Sequence, residues 1–207
     1  MEKMDRYSEL LRTMREKVPV GESFDLLERK LVIGGRDASM FFVDGLVDGG
    51  MMQRVIFSLF SLKPEKMEQA TDAEQFIASN LPFLDAVVVK DLEKAVTFLY
   101  SGLVPLFISG YSGIIIIDCR NYPLRGIEEP SKEKSLRGSK DGFVESMMTN
   151  IALIRRRIRD DNLIFKVFTI GDITKSDVSM AYMKNKADMS MVKRLAKSLQ
   201  DLQTKGL

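Results

Sequence analysis

The sequence predicts an α/β (α+β) protein of two small subdomains, each a mixed or antiparallel sheet of hairpins packed with helices. Three observations predict it. Strand-like runs come in pairs separated by glycine-rich turns, as in KLVIGG/SMFFVDGLV and VPLFIS-GYSG-IIIID. Between the pairs lie segments whose apolar residues recur at helical spacing, such as Met189, Val192, Leu195, Ala196, Leu199 and Leu202. The order is not a strict alternation of strand and helix, so a parallel doubly wound sheet is not expected.

Taken in order, residues 1–20 form an amphipathic arm with Tyr7, Leu11 and Met14 on one face, ended by Pro19 and Gly21. An N-terminal subdomain is expected over 21–82. It holds two strands around Gly34–Gly35, then a helix in which Met52, Val55, Ile56, Leu59 and Phe60 make a wide apolar face. Asp72 is placed to cap a further helix through Phe76 and Ile77, closed by Asn80–Pro82. The C-terminal subdomain is expected over 83–207. Asp91 caps a helix carrying Leu92, Ala95, Val96 and Leu99, Gly102 closes it, and the hairpin of Leu103–Cys119 follows. Residues 121–140, rich in Pro, Gly and charge, read as a long surface loop. A helix over 143–159, the strand pair LIFKVFTIG/SDVSMAYM and a helix from Asp188 complete the chain.

Composition narrows the chemistry. The 207 residues carry a net charge of +2, which by itself points to neither nucleic acid nor an anionic membrane. There is no histidine, so the commonest general base and metal ligand is missing. Cys119 is the only cysteine, which rules out an intramolecular disulfide or a thiolate zinc cluster. No charge interrupts Ala95 to Ile117, but Gly102, Pro105, Gly110 and Gly113 favour a helix end and hairpin over a membrane helix. No catalytic residues, metal ligands or cofactor are expected.

The sharpest motif region runs from Glu128 to Lys184. On the 143–159 helix, Phe143, Met147, Ile151, Ile154 and Ile158 fall in a wedge that should face the core. Glu145, Thr149 and Arg156 share a second face, Ser146, Asn150 and Arg157 a third, and Arg155 borders the apolar stripe. Guanidinium groups so placed can hold carboxylates bidentately, or simply be solvated near a helix C-terminus. Gly138-Ser139-Lys140-Asp141-Gly142 lacks P-loop spacing and reads as a capping turn, with Asp141 or Gly142 at the N-cap and Glu145 reaching back. Glu128, Glu129 and Glu133 could pair as catalytic carboxylates, but the surrounding charge favours ion pairing with Lys132, Lys134, Arg137 or the Arg155–Arg157 cluster. Lys175-Ser176-Asp177 after Gly171 reads as turn chemistry.

As a set, these residues resemble the signature region of GerA-type spore germination receptor A subunits. The matching positions are Glu129–Pro130, Glu133, Arg137–Gly138, Gly142–Phe143 and Glu145, then Asn150, Leu153, Ile154, Arg155, Arg157 and Ile158, then Gly171, Thr174–Lys175–Ser176 and Tyr182. The resemblance implies the cytoplasmic N-terminal domain of a subunit of the spore inner membrane, without enzymatic activity. It also implies partnership with a transporter-like B subunit and a lipoprotein C subunit, and assembly into homo-oligomers. Nucleic acid is not an implied partner. A small nutrient held in a cleft between the subdomains is the alternative reading. The membrane helices and the PFPQ- and ERPD-like motifs of the family are not found, so a soluble fragment is expected, attached to the membrane only through a C-terminal part.

Overall fold

A computed structural model describes residues 6–81, 85–121, 142–171 and 175–202. In chain order the elements are α1 (Arg6–Lys17), β1 (Leu26–Ile33), β2 (Arg36–Val43), α2 (Gly49–Phe60), α3 (Pro64–Gln69), α4 (Ala73–Asn80) and β3 (Ala86–Val89). They continue with α5 (Leu92–Tyr100), β4 (Val104–Ile108), β5 (Ile114–Ile117), α6 (Met147–Arg157), β6 (Leu163–Ile170), β7 (Ser176–Met183) and α7 (Met189–Gln200).

The main sheet has five strands in the order β1-β2-β4-β5-β3, every neighbouring pair antiparallel. Its first hairpin turns on Gly34 and Gly35, at φ 51° and 80°. Two consecutive positive φ values define a type I′ turn, whose twist matches the flanking strands. That turn fixes Ile33 opposite Arg36 and Leu26 opposite Val43. Side-chain alternation then divides the core. Leu31, Ile33, Ala38 and Met40 pack beneath α2, α3 and α4 through Leu59, Met67 and Phe76. Leu26, Phe41 and Val43 pack beneath α1 and α5 through Leu11, Met14 and Leu99. β4 and β5 are buried at every position because helices cover both faces of the central strands.

Strands from both sides of residue 82 share this sheet: β2 pairs with β4, Ala38 opposite Ile108. The boundary that the sequence suggests between 21–82 and 83–207 therefore runs through the sheet. The difference arises from β3 and the long-range β2–β4 pairing, neither of which has a local signal. Four apolar residues, Ala86–Val89, are too short a run to show a period.

The second sheet is the hairpin β6–β7, Leu163 opposite Met183 and Ile170 opposite Ser176. Helix α6 covers one face through Ile151, against Leu163 and Phe165. Helix α7 covers the other through Val192, against Ile164 and Tyr182. Helix α6 also reaches the main sheet, where Ala152 joins the α1/α5 core. It can do so because residue 45 is glycine: a Cβ there would lie 3.1 Å from the Ala152 Cβ, at a backbone φ of +83°.

Candidate functional site

The structure places the signature residues unevenly. Glu129, Pro130, Glu133, Arg137 and Gly138 lie outside the described residues, as does the proposed Asp141 cap. Helix α6 starts at Met147, capped by Ser146, whose Oγ accepts from the Thr149 N–H at 3.4 Å. Gly142 and Glu145 therefore precede the helix and do not cap it. Phe143, expected in the core, is 72% exposed for the same reason. Ile158 is the C-cap and is exposed. Asn150 acts locally. Its amide brackets Val144, Oδ1 accepting from the backbone N–H at 2.8 Å and Nδ2 donating to the carbonyl at 2.7 Å. The amide thus imitates one rung of a β ladder and pins the chain entering α6. Gly171 and Lys175, at φ 90° and 47°, bound the β6–β7 turn. Tyr182 packs under α7, its hydroxyl buried without a partner among the described residues. Arg157 is exposed.

Arg155 departs most from expectation. It does not border the core; its side chain is fully buried and paired with Asp25, which is equally buried. Nε donates to Asp25 Oδ2 at 2.7 Å and Nη2 to Oδ1 at 3.0 Å, a bidentate pair. Further donors reach the Asp160 carbonyl at 2.9 Å, the Leu163 carbonyl at 2.7 Å and Ser23 Oγ at 3.4 Å. Ser23 completes the cluster. Its hydroxyl donates to Asp25 Oδ1 at 2.6 Å and accepts from the Phe165 N–H at 3.0 Å. Phe165 and Tyr100 lie against the guanidinium, with ring centroids 5.1 Å and 5.5 Å from its carbon. All three guanidinium nitrogens and both carboxylate oxygens thus bond to protein, as a desolvated pair requires. The acid expected for Arg155, Glu129 or Glu133, is replaced by one at the start of β1.

The neighbouring loop is braced for this. Asp160 Oδ1 accepts from the Asn162 N–H at 2.8 Å and its side-chain amide at 2.9 Å. Those bonds hold the Asp160 carboxyl below its usual range and fix the carbonyl that Arg155 uses. Burial, opposed by the Arg155 charge, pushes the Tyr100 phenol well up. Two further links join the same segments: the Phe24 N–H donates to the Phe165 carbonyl at 2.9 Å, and Lys184 Nζ to Glu22 at 2.7 Å. Residues 22–25 therefore hold the main sheet to α6 and β6 through one polar latch.

Sequence reasoning misses Ser23 and Asp25. Their only local signal is a short polar pair before an apolar run, which reads as a turn. Asp25 and Arg155 are 130 residues apart, and nothing nearby in the chain announces the pairing.

Among the described residues no three acidic or thiol side chains converge on a metal-sized site, and no helix is long and apolar enough to cross a membrane. The described residues thus form two antiparallel sheets with helices, tied together by a buried ion pair. A family model described as Bacillus/Clostridium GerA spore germination protein matches residues 13–207, and the chain belongs to that family. It is 33% identical over 193 residues to stage V sporulation protein AF of Bacillus subtilis (strain 168), covering 93% of this chain and 39% of that protein. It is 28% identical to spore germination protein KA of the same organism, covering 90% of this chain and 35% of that protein. The chain thus spans less than half the length of these relatives. The fold matches the crystal structure of the N-terminal domain of the A subunit of the Bacillus megaterium spore germinant receptor GerK3. The TM-score is 0.69 at 23% identity, covering 93% of this chain and 70% of that one.

Proposed function

We propose that the chain acts as the N-terminal domain of a germinant-receptor A subunit, a non-enzymatic module for signalling and assembly at the cytoplasmic face of the spore inner membrane. Its partners on this reading are a transporter-like B subunit and a lipoprotein C subunit. The observation that carries the proposal is the Asp25–Arg155 latch. A bidentate pair with no exposure ties Asp25, next to β1 of the main sheet, to α6, which packs on the second sheet, and on this reading it couples the two. Among the signature residues, Arg155 and Asn150 then serve the scaffold. The docking role falls to the exposed Glu145 and Arg157, together with the 128–142 segment carrying Glu129, Glu133 and Arg137.

The test separates those two roles in spores carrying substitutions in the native gene. Arg157→Glu should slow the nutrient response while protein abundance stays normal. Arg155→Met should lower abundance first, because it leaves Asp25 buried and unpaired. A normal nutrient response in Arg157→Glu spores at normal abundance overturns the docking role.

A further inference from the structure

We infer that helix α1 is a releasable strap, which leaves the main sheet as a unit and opens the Asp25–Arg155 latch as it goes. Its hold on the domain is slight. Of its 12 residues only Leu11 and Met14 are buried, and most of the others are charged or polar. So short and polar a sequence does not sustain a helix alone in water, so α1 is folded only while it is docked. Docking and ordering are therefore one event.

The attachment has an apolar part and a polar part. Leu11 and Met14 enter the core beside Leu26, Phe41 and Leu99. Arg15 donates to both Glu28 oxygens, at 2.9 and 2.6 Å, and Ser39 Oγ adds a bond to Glu28 at 3.0 Å. Lys17 pairs with Glu93 at 2.7 Å. Arg15 and Lys17 are partly exposed, and Glu93 more so, which keeps each ion pair weak. The central strands β4 and β5, by contrast, are buried at every position. An element so lightly attached opens at a lower free energy than the sheet it rests on.

The end of the strap is tied to the latch by a turn without slack. The Val18 N–H bonds to the Met14 carbonyl at 2.8 Å, and Val18 is buried in the same core as Leu11 and Met14. The next carbonyl, that of Pro19, accepts from the N–H groups of Glu22 and Ser23 at 3.1 and 3.0 Å. Gly21, at φ 80°, closes that turn. Ser23 is the residue whose hydroxyl bonds both Asp25 and the Phe165 N–H. A second route runs through the core. Tyr100 packs in the cluster that holds Leu11 and Met14, and its ring also lies against the Arg155 guanidinium. Removing α1 thus displaces Ser23 and uncovers Tyr100 together. Water then reaches the ion pair, and a solvated pair contributes little. Coupling of this kind is reciprocal, so a closed latch also holds the strap in place.

Nothing in this coupling needs the receptor reading, and native-state hydrogen exchange of the chain in increasing sub-denaturing urea tests it. The best protected amides of α1 and those of Phe24 and Phe165 should share one opening free energy and one urea slope. The amides of β4 and β5 should show a larger value of both. Arg15→Gln, at a partly exposed site, should speed exchange in α1 and at Phe24 and Phe165 by one common factor, about fivefold. Amides of α1 that open only with β4 and β5 overturn the proposal, since α1 then belongs to the main sheet's cooperative unit. Phe24 and Phe165 amides that follow β4 and β5 overturn it as well. So does an Arg15→Gln effect confined to α1, which would show the strap leaving with the latch closed.

Discussion

Single side chains in this protein matter through burial more than through reactivity. Cys119 has no exposure, and burial pushes its thiol up to about 11. It should therefore react with iodoacetamide at neutral pH only through opening of the sheet. Labelling should be orders of magnitude slower in native buffer than in urea; equal rates would show the strand end to be open. Glu28 behaves differently. Burial would raise its carboxyl, but hydrogen bonds from Arg15 at 2.6 Å and Ser39 at 3.0 Å outweigh it, and the net shift is downward. A depressed acid contributes stability above its unfolded value of about 4 and loses it as pH falls through the folded value. Urea unfolding between neutral pH and about pH 3 should show a shallower acid loss in Glu28→Gln than in the wild type. An unchanged acid limb would remove Glu28 from the account.

At the scale of elements, α6 is where local and long-range forces meet. Its entry is held by the Asn150 amide across Val144, and Asn150→Ala should cost about 1–2 kcal/mol, two hydrogen bonds' worth at a partly exposed site. Faster hydrogen exchange at Val144 with the rest of α6 unchanged would mark the effect as local. Much of the element pattern is legible in the sequence because it is local. The Gly34–Gly35 turn, the Asp72 and Asp91 caps and the stripe of α5 appear where spacing puts them, and on α2 Met52, Val55 and Leu59 are buried although Phe60, expected with them, is exposed. The start of α6 is not, because Phe143 continues the helical periodicity while the stretch before Ser146 lies outside the helix, its Val144 bonded to the Asn150 amide. The stripe of α7 is only partly so: Val192 is buried, but Leu195 and Leu202 remain exposed, since one hairpin is too narrow to cover the whole apolar face.

For the whole molecule, the unit that matters is the junction of the two sheets. Spacing within a strand cannot reveal that residues 86–117 complete a sheet begun at residue 26, nor that Arg155 needs Asp25. Both depend on contacts between distant parts of the chain, and the arginine cluster reads equally well as solvated. The signature residues mark the right helix, whereas burial decides which of its arginines is structural.

The most direct test is a double-mutant cycle on Asp25 and Arg155, followed by urea denaturation of the isolated chain. Asp25→Asn and Arg155→Met should each cost about 3–5 kcal/mol, because each leaves its partner buried without a counter-charge. The double replacement should recover much of that loss, giving a coupling of several kcal/mol. Additive losses of under about 1 kcal/mol each would mean the pair is solvated and the sheets are joined by something else.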